Sequence, residues 1–323
     1  MLFQAAKIRR ALVLCLLAFF LAGTGSAFAF DKKFAYALTH YIMAGMYDSF
    51  GQVDKAIQEY KLTLRAEKES AVVHLNLASG YIRNNETENA IKELNLAAGL
   101  DPAAIEPHAI LALLYTSLDK VDLATSEYQI ALENASKLHP KDIEIYQSLA
   151  AVYMQQKKFK EAEAAYRLIL ELSPDNAEAH FYLANVYHET ANYPSAVKEA
   201  KKAIELKADY HEALNFLGYL YADEGKNLSQ AEAMIRKALE FEPENGAYID
   251  SLGWLYFKKE KYQEAVKELE RAVSLIQDPV VYDHLGDAYL KINDPEKAKI
   301  NWEKSLALDA EQPKVRKKLE EYK

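Results

Sequence analysis

Apolar positions recur along this chain at helical spacing, and the pattern they make itself recurs. Its clearest form is GAYIDSLGWLYFKKEKYQEAVKELERA, from Gly246 to Ala272. Leu252, Gly253 and Tyr256 share one face of a first helix, and Ala265, Leu269 and Ala272 share one face of a second, with a tight turn between. Gly253, Ala265 and Ala272 are small enough to let the two helices approach closely, while Leu252 and Tyr256 fill the space beside them. A helix pair of this size cannot bury its apolar faces by itself, so it needs copies above and below.

The copies are present. The alanine of the second helix recurs at Ala56, Ala90, Ala124, Ala162, Ala196, Ala231, Ala265 and Ala298, at spacings of 34, 34, 38, 34, 35, 34 and 33. Nine residues earlier stands a tyrosine, at Tyr47, Tyr81, Tyr115, Tyr153, Tyr187, Tyr256 and Tyr289, with Tyr221 ten residues earlier in its copy. Three residues before each tyrosine is Ala44, Ala78, Ala112, Ala150, Ala184, Gly218, Gly253 or Gly286. This register predicts a solenoid of helix–turn–helix units. It resembles the tetratricopeptide repeat (TPR) family, whose pattern is an aromatic, Leu-Gly, Tyr, Ala, a large apolar residue, Ala and Pro. Leu252-Gly253, Tyr256, Ala265, Leu269 and Ala272 match it, as do Leu285-Gly286, Tyr289, Ala298 and Trp302, with the closing proline at Pro102, Pro174 and Pro243. The resemblance implies an all-α, right-handed superhelical solenoid of eight repeats, over 37–70, 71–104, 105–142, 143–176, 177–210, 211–245, 246–278 and 279–312. Residues 313–323 read as a polar-faced capping helix, since Glu320 stands where the small residue would be.

Two repeats break the period. Repeat three carries four extra residues within Leu132–Asp142, and Pro140 marks a break there. The stretch reads either as a longer loop and joint between repeats 1–3 and 4–8, or as a longer second helix. Repeat six gains one residue in its turn, Gly225-Lys226-Asn227-Leu228, where Gly225 suits a helix C-cap.

The beginning of the chain differs in kind. Lys7, Arg9 and Arg10 precede an apolar run from Ala11 to Ala22, too short to span a bilayer, and Ala27-Phe28-Ala29 is a small-x-small cleavage site. Residues 1–29 therefore read as a cleaved signal peptide, with residues 30–312 given over to the repeats and the product expected to be exported, to the periplasm or in association with the outer membrane; the alternative is a retained N-terminal anchor. Cys15, the lone cysteine, lies inside the apolar run behind Leu14, which does not suit lipidation, and its removal excludes disulfide chemistry. Net charge is −9, more negative once the three basic leader residues are lost. That balance disfavours nucleic acid and direct adhesion to anionic lipid, leaving a membrane link only through partners. Asn85, Asn134 and Asn227 open N-x-S/T triplets, read as chance.

Candidate chemistry is sparse. His40, His74, His108 and His180 occupy one repeat position. Equivalent positions in successive repeats lie about one helix diameter apart, ~10 Å, too far to share an ion that holds nitrogens at ~2 Å. They read as packing residues between repeats. His188-Glu189 and His211-Glu212 open like a zinc-protease helix, but Asn192 and Asn215 stand where its second histidine is required. No phosphate-binding glycine motif occurs. No cofactor, no metal and no catalysis are expected.

What remains is the face that the first helices line in TPR folds, the concave groove. Repeats one to four offer a mixed surface, including Tyr41, Leu75, Asn76, Arg83, Leu113 and Gln155. Repeats five to eight offer Phe181, Tyr182, Phe216, Tyr219, Trp254 and Phe257, among acids such as Glu178, Glu189, Glu212, Asp223, Asp250, Asp283 and Asp287. Exposed aromatics in a concave surface signal an interface, and the acids would select a basic or neutral protein or peptide; the alternative is that the aromatics pack between first helices. Asn185 matches one position of the TPR carboxylate clamp, but the accompanying Lys and Arg are missing, so an acidic tail is not expected. The candidate groove is thus Phe181, Tyr182, Asn185, Phe216, Tyr219, Asp250, Trp254 and Phe257. Gly246–Ala272 together with Asp278–Gly286 resembles the C-terminal repeats of bacterial cell-envelope TPR proteins. The resemblance implies a non-catalytic scaffold in envelope assembly, secretion or polysaccharide export, or an accessory subunit of an envelope enzyme complex bound through its convex face.

Overall fold

The computed structural model describes residues 32–322, so the expected signal peptide lies outside the described residues. Among the described residues there are seventeen α-helices and no strand. They form consecutive pairs: α1 (Lys32–Ser49) and α2 (Val53–Ala66), α3 (Ala71–Arg83) and α4 (Thr87–Leu100), α5 (Glu106–Ser117) and α6 (Val121–Leu138), α7 (Ile143–Gln155) and α8 (Phe159–Leu172). The next are α9 (Ala177–Glu189) and α10 (Tyr193–Leu206), α11 (His211–Asp223) and α12 (Leu228–Phe241), α13 (Gly246–Lys258) and α14 (Tyr262–Leu275), α15 (Pro279–Lys291) and α16 (Pro295–Leu308). A single helix, α17 (Pro313–Glu321), follows. None of the described helices is long and apolar enough to cross a membrane.

One backbone device makes every hairpin. The carbonyl of the repeat tyrosine accepts the N–H five residues on, from Gln52, Glu86, Lys120, Lys158, Asn192, Lys226, Lys261 or Asp294, at 2.7 to 3.0 Å. The residue just before that donor is left-handed, with φ from +56° to +70°, at Gly51, Asn85, Asp119, Lys157, Ala191, Gly225, Glu260 and Asn293. This six-to-one bond closes the first helix and reverses the chain. Gly225 fills the position without strain, as its sequence context suggests. The extra residue of repeat six is absorbed just past it, where Asn227 takes a second left-handed step, φ +50°.

Small residues set how closely the pairs approach. A Cβ at Gly253 would stand 2.6 Å from Leu269 Cγ, and one at Gly218 would stand 2.7 Å from Ile235 Cγ1. At Gly286 the indole of Trp302 occupies the equivalent space. In the later repeats three tyrosine hydroxyls tie a repeat to the one before. Tyr187 meets Arg167 and Glu163, Tyr256 meets Arg236, and Tyr289 donates to Glu270.

The chain divides into two compact units, one ending at Ile145 and one beginning at Tyr146. In the first, Ile57, Tyr60, Val73, Leu77 and Tyr81 form a core with the small Ala44, Ala56 and Ala90. In the second, Leu217, Ile235, Leu252, Leu255, Leu269, Leu285 and Trp302 run together as one core that ends on Val315 of α17. The four extra residues of repeat three go into the second helix, since α6 has 18 residues and every other second helix has 14. The division between units falls just beyond the stretch where a joint was expected. Asn134 in α6 is buried and donates to the Pro102 carbonyl at 2.8 Å, so its N-x-S triplet presents no open amide.

Candidate partner-binding face

In the second unit, the first helices of repeats five to eight lie side by side and their side chains meet in two groups. The first group surrounds Phe181. Its ring is 5.3 Å from Tyr182, 5.1 Å from Tyr210 and 5.9 Å from Phe216, centre to centre. Phe216 also meets His188 at 5.7 Å. Phe181 and Phe216 are half-buried, whereas Tyr182 is 47% exposed and stacks on Tyr166 at 5.7 Å. Asn185 is half-buried, and its amide donates to the Phe181 carbonyl of its own helix at 2.8 Å.

The second group surrounds Trp254, which is 8% exposed. Its indole is sandwiched between Phe257, at 4.8 Å, and His284 of the next repeat, at 4.0 Å. Its Nε1–H donates to Asp223 Oδ1 at 3.1 Å. Asp250, 7% exposed, faces His284 Nδ1 at 2.9 Å. Tyr219 of repeat six reaches to 6.4 Å from His284 of repeat eight, so three first helices converge here. The structure therefore brings Phe181, Tyr182 and Phe216 into one cluster, with Tyr182 exposed and both phenylalanines half-buried. It places Asp250 and Trp254 in the interior between repeats, with Tyr219 and Phe257 half-buried at its edge.

The acids divide in the same way. Asp223 takes Lys258 Nζ at 3.2 Å, and Lys318 of α17 lies 2.7 Å from both Asp283 and Asp287. Trp302 Nε1 donates to Asp287 at 3.1 Å. Burial would raise the pKa of Asp223, but the Trp254 and Lys258 hydrogen bonds and charge hold it below the usual carboxylate value. Burial likewise opposes charge on His284, yet Asp250, with Asp283 and Asp287 behind it, lifts its pKa above that of free imidazole. Asp287 is pushed up, by burial first and then by Asp283, against the pull of Lys318. By contrast, Glu189 and Glu212 have only neighbouring histidines, His188 at 3.9 Å and His211 at 3.4 Å.

The four in-register histidines have a different task. Each Nδ1 meets the glutamate nineteen residues on, on the second helix of its own repeat: His40–Glu59 at 2.5 Å, and His74–Glu93, His108–Glu127 and His180–Glu199 at 2.6 Å. In His74 and His180 the other nitrogen reaches a carbonyl of the preceding linker, Lys68 or Pro174, at 3.1 Å. These are clasps within a repeat as much as contacts between repeats. The shared register of the four histidines is visible in the sequence, where it reads as packing between repeats; their glutamate partners are not read there, nor are the roles of His284 and Lys318, each of which acts on the repeat before it.

Stacked helical hairpins that present a side-chain face define a repeat scaffold. Tetratricopeptide-repeat profiles match residues 111–177, 153–218 and, in succession, 211–245, 248–279 and 280–312. The chain belongs to the tetratricopeptide repeat family. A TPR repeat-containing protein of Pseudomonas aeruginosa is 24% identical over 157 residues, covering 49% of this chain and 21% of that protein. The type IV pilus assembly protein PilF of the same organism is 26% identical over 125 residues, 39% of this chain and 47% of that one. The chain thus spans less than half the length of either relative. Among solved structures, a tetratricopeptide repeat protein from Parabacteroides merdae superposes with a TM-score of 0.59 at 18% identity, over 78% of this chain and 98% of the other. The Cut9–Hcn1 hetero-tetramer of the APC/C gives 0.54 at 15% identity, over 88% and 69%. Both likenesses concern the fold.

Proposed function

We propose that this chain is a non-catalytic, exported scaffold that holds a protein or extended peptide against the first helices of its second unit, in the assembly of bacterial envelope machinery. The observation that carries the reading is the aromatic cluster of Phe181, Tyr182 and Phe216, whose Tyr182 is exposed. A ring that is 47% exposed yet stacked on a second ring, as Tyr182 is on Tyr166, is held in place for a contact that the chain itself does not complete. The similarity to a pilus assembly protein supports the envelope setting, and the leader-like N-terminus supports export.

The test is site-specific photo-cross-linking in cells. A benzophenone amino acid at Tyr182 captures a partner, while one at Leu308, equally exposed on a second helix, does not. Capture from Leu308 and not from Tyr182 would move the interface to the outer helices and favour an accessory-subunit role.

A further inference from the structure

The closed end of the face demonstrates how this surface holds a cation. Lys258 Nζ lies 4.8 Å from the Trp254 ring centre and 3.2 Å from Asp223. Lys318 Nζ lies 5.8 Å from the Trp302 ring centre and 2.7 Å from Asp283 and Asp287. Each ammonium meets a ring and a carboxylate from one repeat back. Two residues past the repeat tyrosine, where repeat seven has Lys258, repeat five has Glu189 and repeat six has Asp223.

Repeats five and six have a ring and carboxylates at other positions of their first helices, without such a cation. Glu178 and Tyr182 lie one turn apart on α9, hence on one face, and Glu212 repeats the register of Glu178 on α11. Phe181 meets both Tyr182, at 5.3 Å, and Tyr210, two residues before Glu212, at 5.1 Å, which brings the start of α11 beside α9. Burial first, then Tyr182, Glu212 and Glu178, push the Tyr210 pKa up. Lys207 lies over the Tyr210 ring at 4.7 Å, but among the described residues no cation lies over Tyr182, and no lysine or arginine pairs with Glu178, Glu189 or Glu212.

We propose that repeats five and six take the cationic side chain of a lysine- or arginine-bearing extended segment, its charge over the Tyr182 ring and between Glu178 and Glu212. This rests on the partner-binding reading of the same face and narrows the partner from basic or neutral to basic. The carboxylates supply counter-charge and the ring a negative π face.

The test uses the whole chain and two dye-labelled peptides, alternating Arg-Ser and alternating Gln-Ser, read by fluorescence anisotropy at low salt. The Arg peptide binds. Glu178→Gln with Glu212→Gln weakens it about tenfold and Tyr182→Ala about fivefold, the scale of a lost charge-assisted contact and of a lost cation–π contact. Glu161→Gln with Glu264→Gln removes two first-turn charges from second helices and changes affinity less than about twofold. Equal loss in both double variants overturns the proposal, because binding is then diffuse attraction to an acidic chain. Equal affinity for the Gln peptide also overturns it, while leaving the face as a partner site. Binding of neither peptide overturns it too, and the Tyr182 cross-link then decides the broader reading separately.

Discussion

Repeats five–six and seven–eight both carry rings and carboxylates on their first helices, largely at different registers, yet the first pair leaves Tyr182 exposed and the second buries Trp254. In repeats seven and eight each acid on the face has found an internal partner. Asp250 has His284, and Asp283 and Asp287 share Lys318, with Trp302 on Asp287; Lys258 and Trp254 of repeat seven also reach back to Asp223 of repeat six. With the charges matched, Trp254 could be stacked between Phe257 and His284 and withdrawn from water. In repeats five and six no lysine or arginine among the described residues pairs with Glu178, Glu189 or Glu212, and these glutamates stay at the surface with Tyr182. The lesson is that aromatic content does not distinguish an interface from a core. What decides is whether the next repeat brings the complementary charge.

That contrast can be broken at its strongest point first. Trp254→Ala should cost about 3–5 kcal/mol, the range for emptying a buried indole site, seen as a lowered urea midpoint by circular dichroism. Gly253→Ala drives a methyl into Leu269 and should cost about 1–3 kcal/mol by overpacking. Lys318→Ala leaves Asp283 and Asp287 facing each other without a cation. It should cost about 1–2 kcal/mol, discounted because the lysine is 27% exposed, and raising the salt concentration should reduce the loss.

The smaller effects sharpen the comparison. His284 has a folded pKa above its ordinary value, so its contribution is complete below about pH 6.5 and is lost as pH rises through the raised value. Midpoints measured over that window should fall with pH in the natural chain and lose that slope in His284→Gln. Last, Tyr182→Ala should change stability by about 0.5 kcal/mol or less, as for an exposed site, while still weakening partner capture.

The fold was legible because its determinants are local and repeated. The Ala/Gly–Tyr–Ala register fixes both the hairpin turn and the close approach, and eight copies reinforce one another. The candidate site was less legible. Trp254, Asp250 and Tyr182 all stand on first helices beside the Leu-Gly/Tyr face, and the sequence places all of them in the groove. Their fates separate through His284 and Lys318, which lie roughly 30 or more residues away from the side chains they cover. A periodic pattern reports which side of a helix a residue is on, and it does not report what the adjoining repeat places over it. The extra turn of α6 was similarly undecided, since a helical insertion of four residues and a loop insertion look alike in composition.

Both tryptophans of the chain, Trp254 and Trp302, sit in the closed pair of repeats, each with its indole N–H on an aspartate. The chain consequently contains its own optical probe, and that probe is confined to one end. Excitation of the indoles reads the loosening of repeats seven and eight, whereas backbone ellipticity sums over every helix. In a linear array whose neighbours unfold in succession, the two signals need not fall together. The gap between the two melting curves would measure how independently the last repeats open, with no label attached.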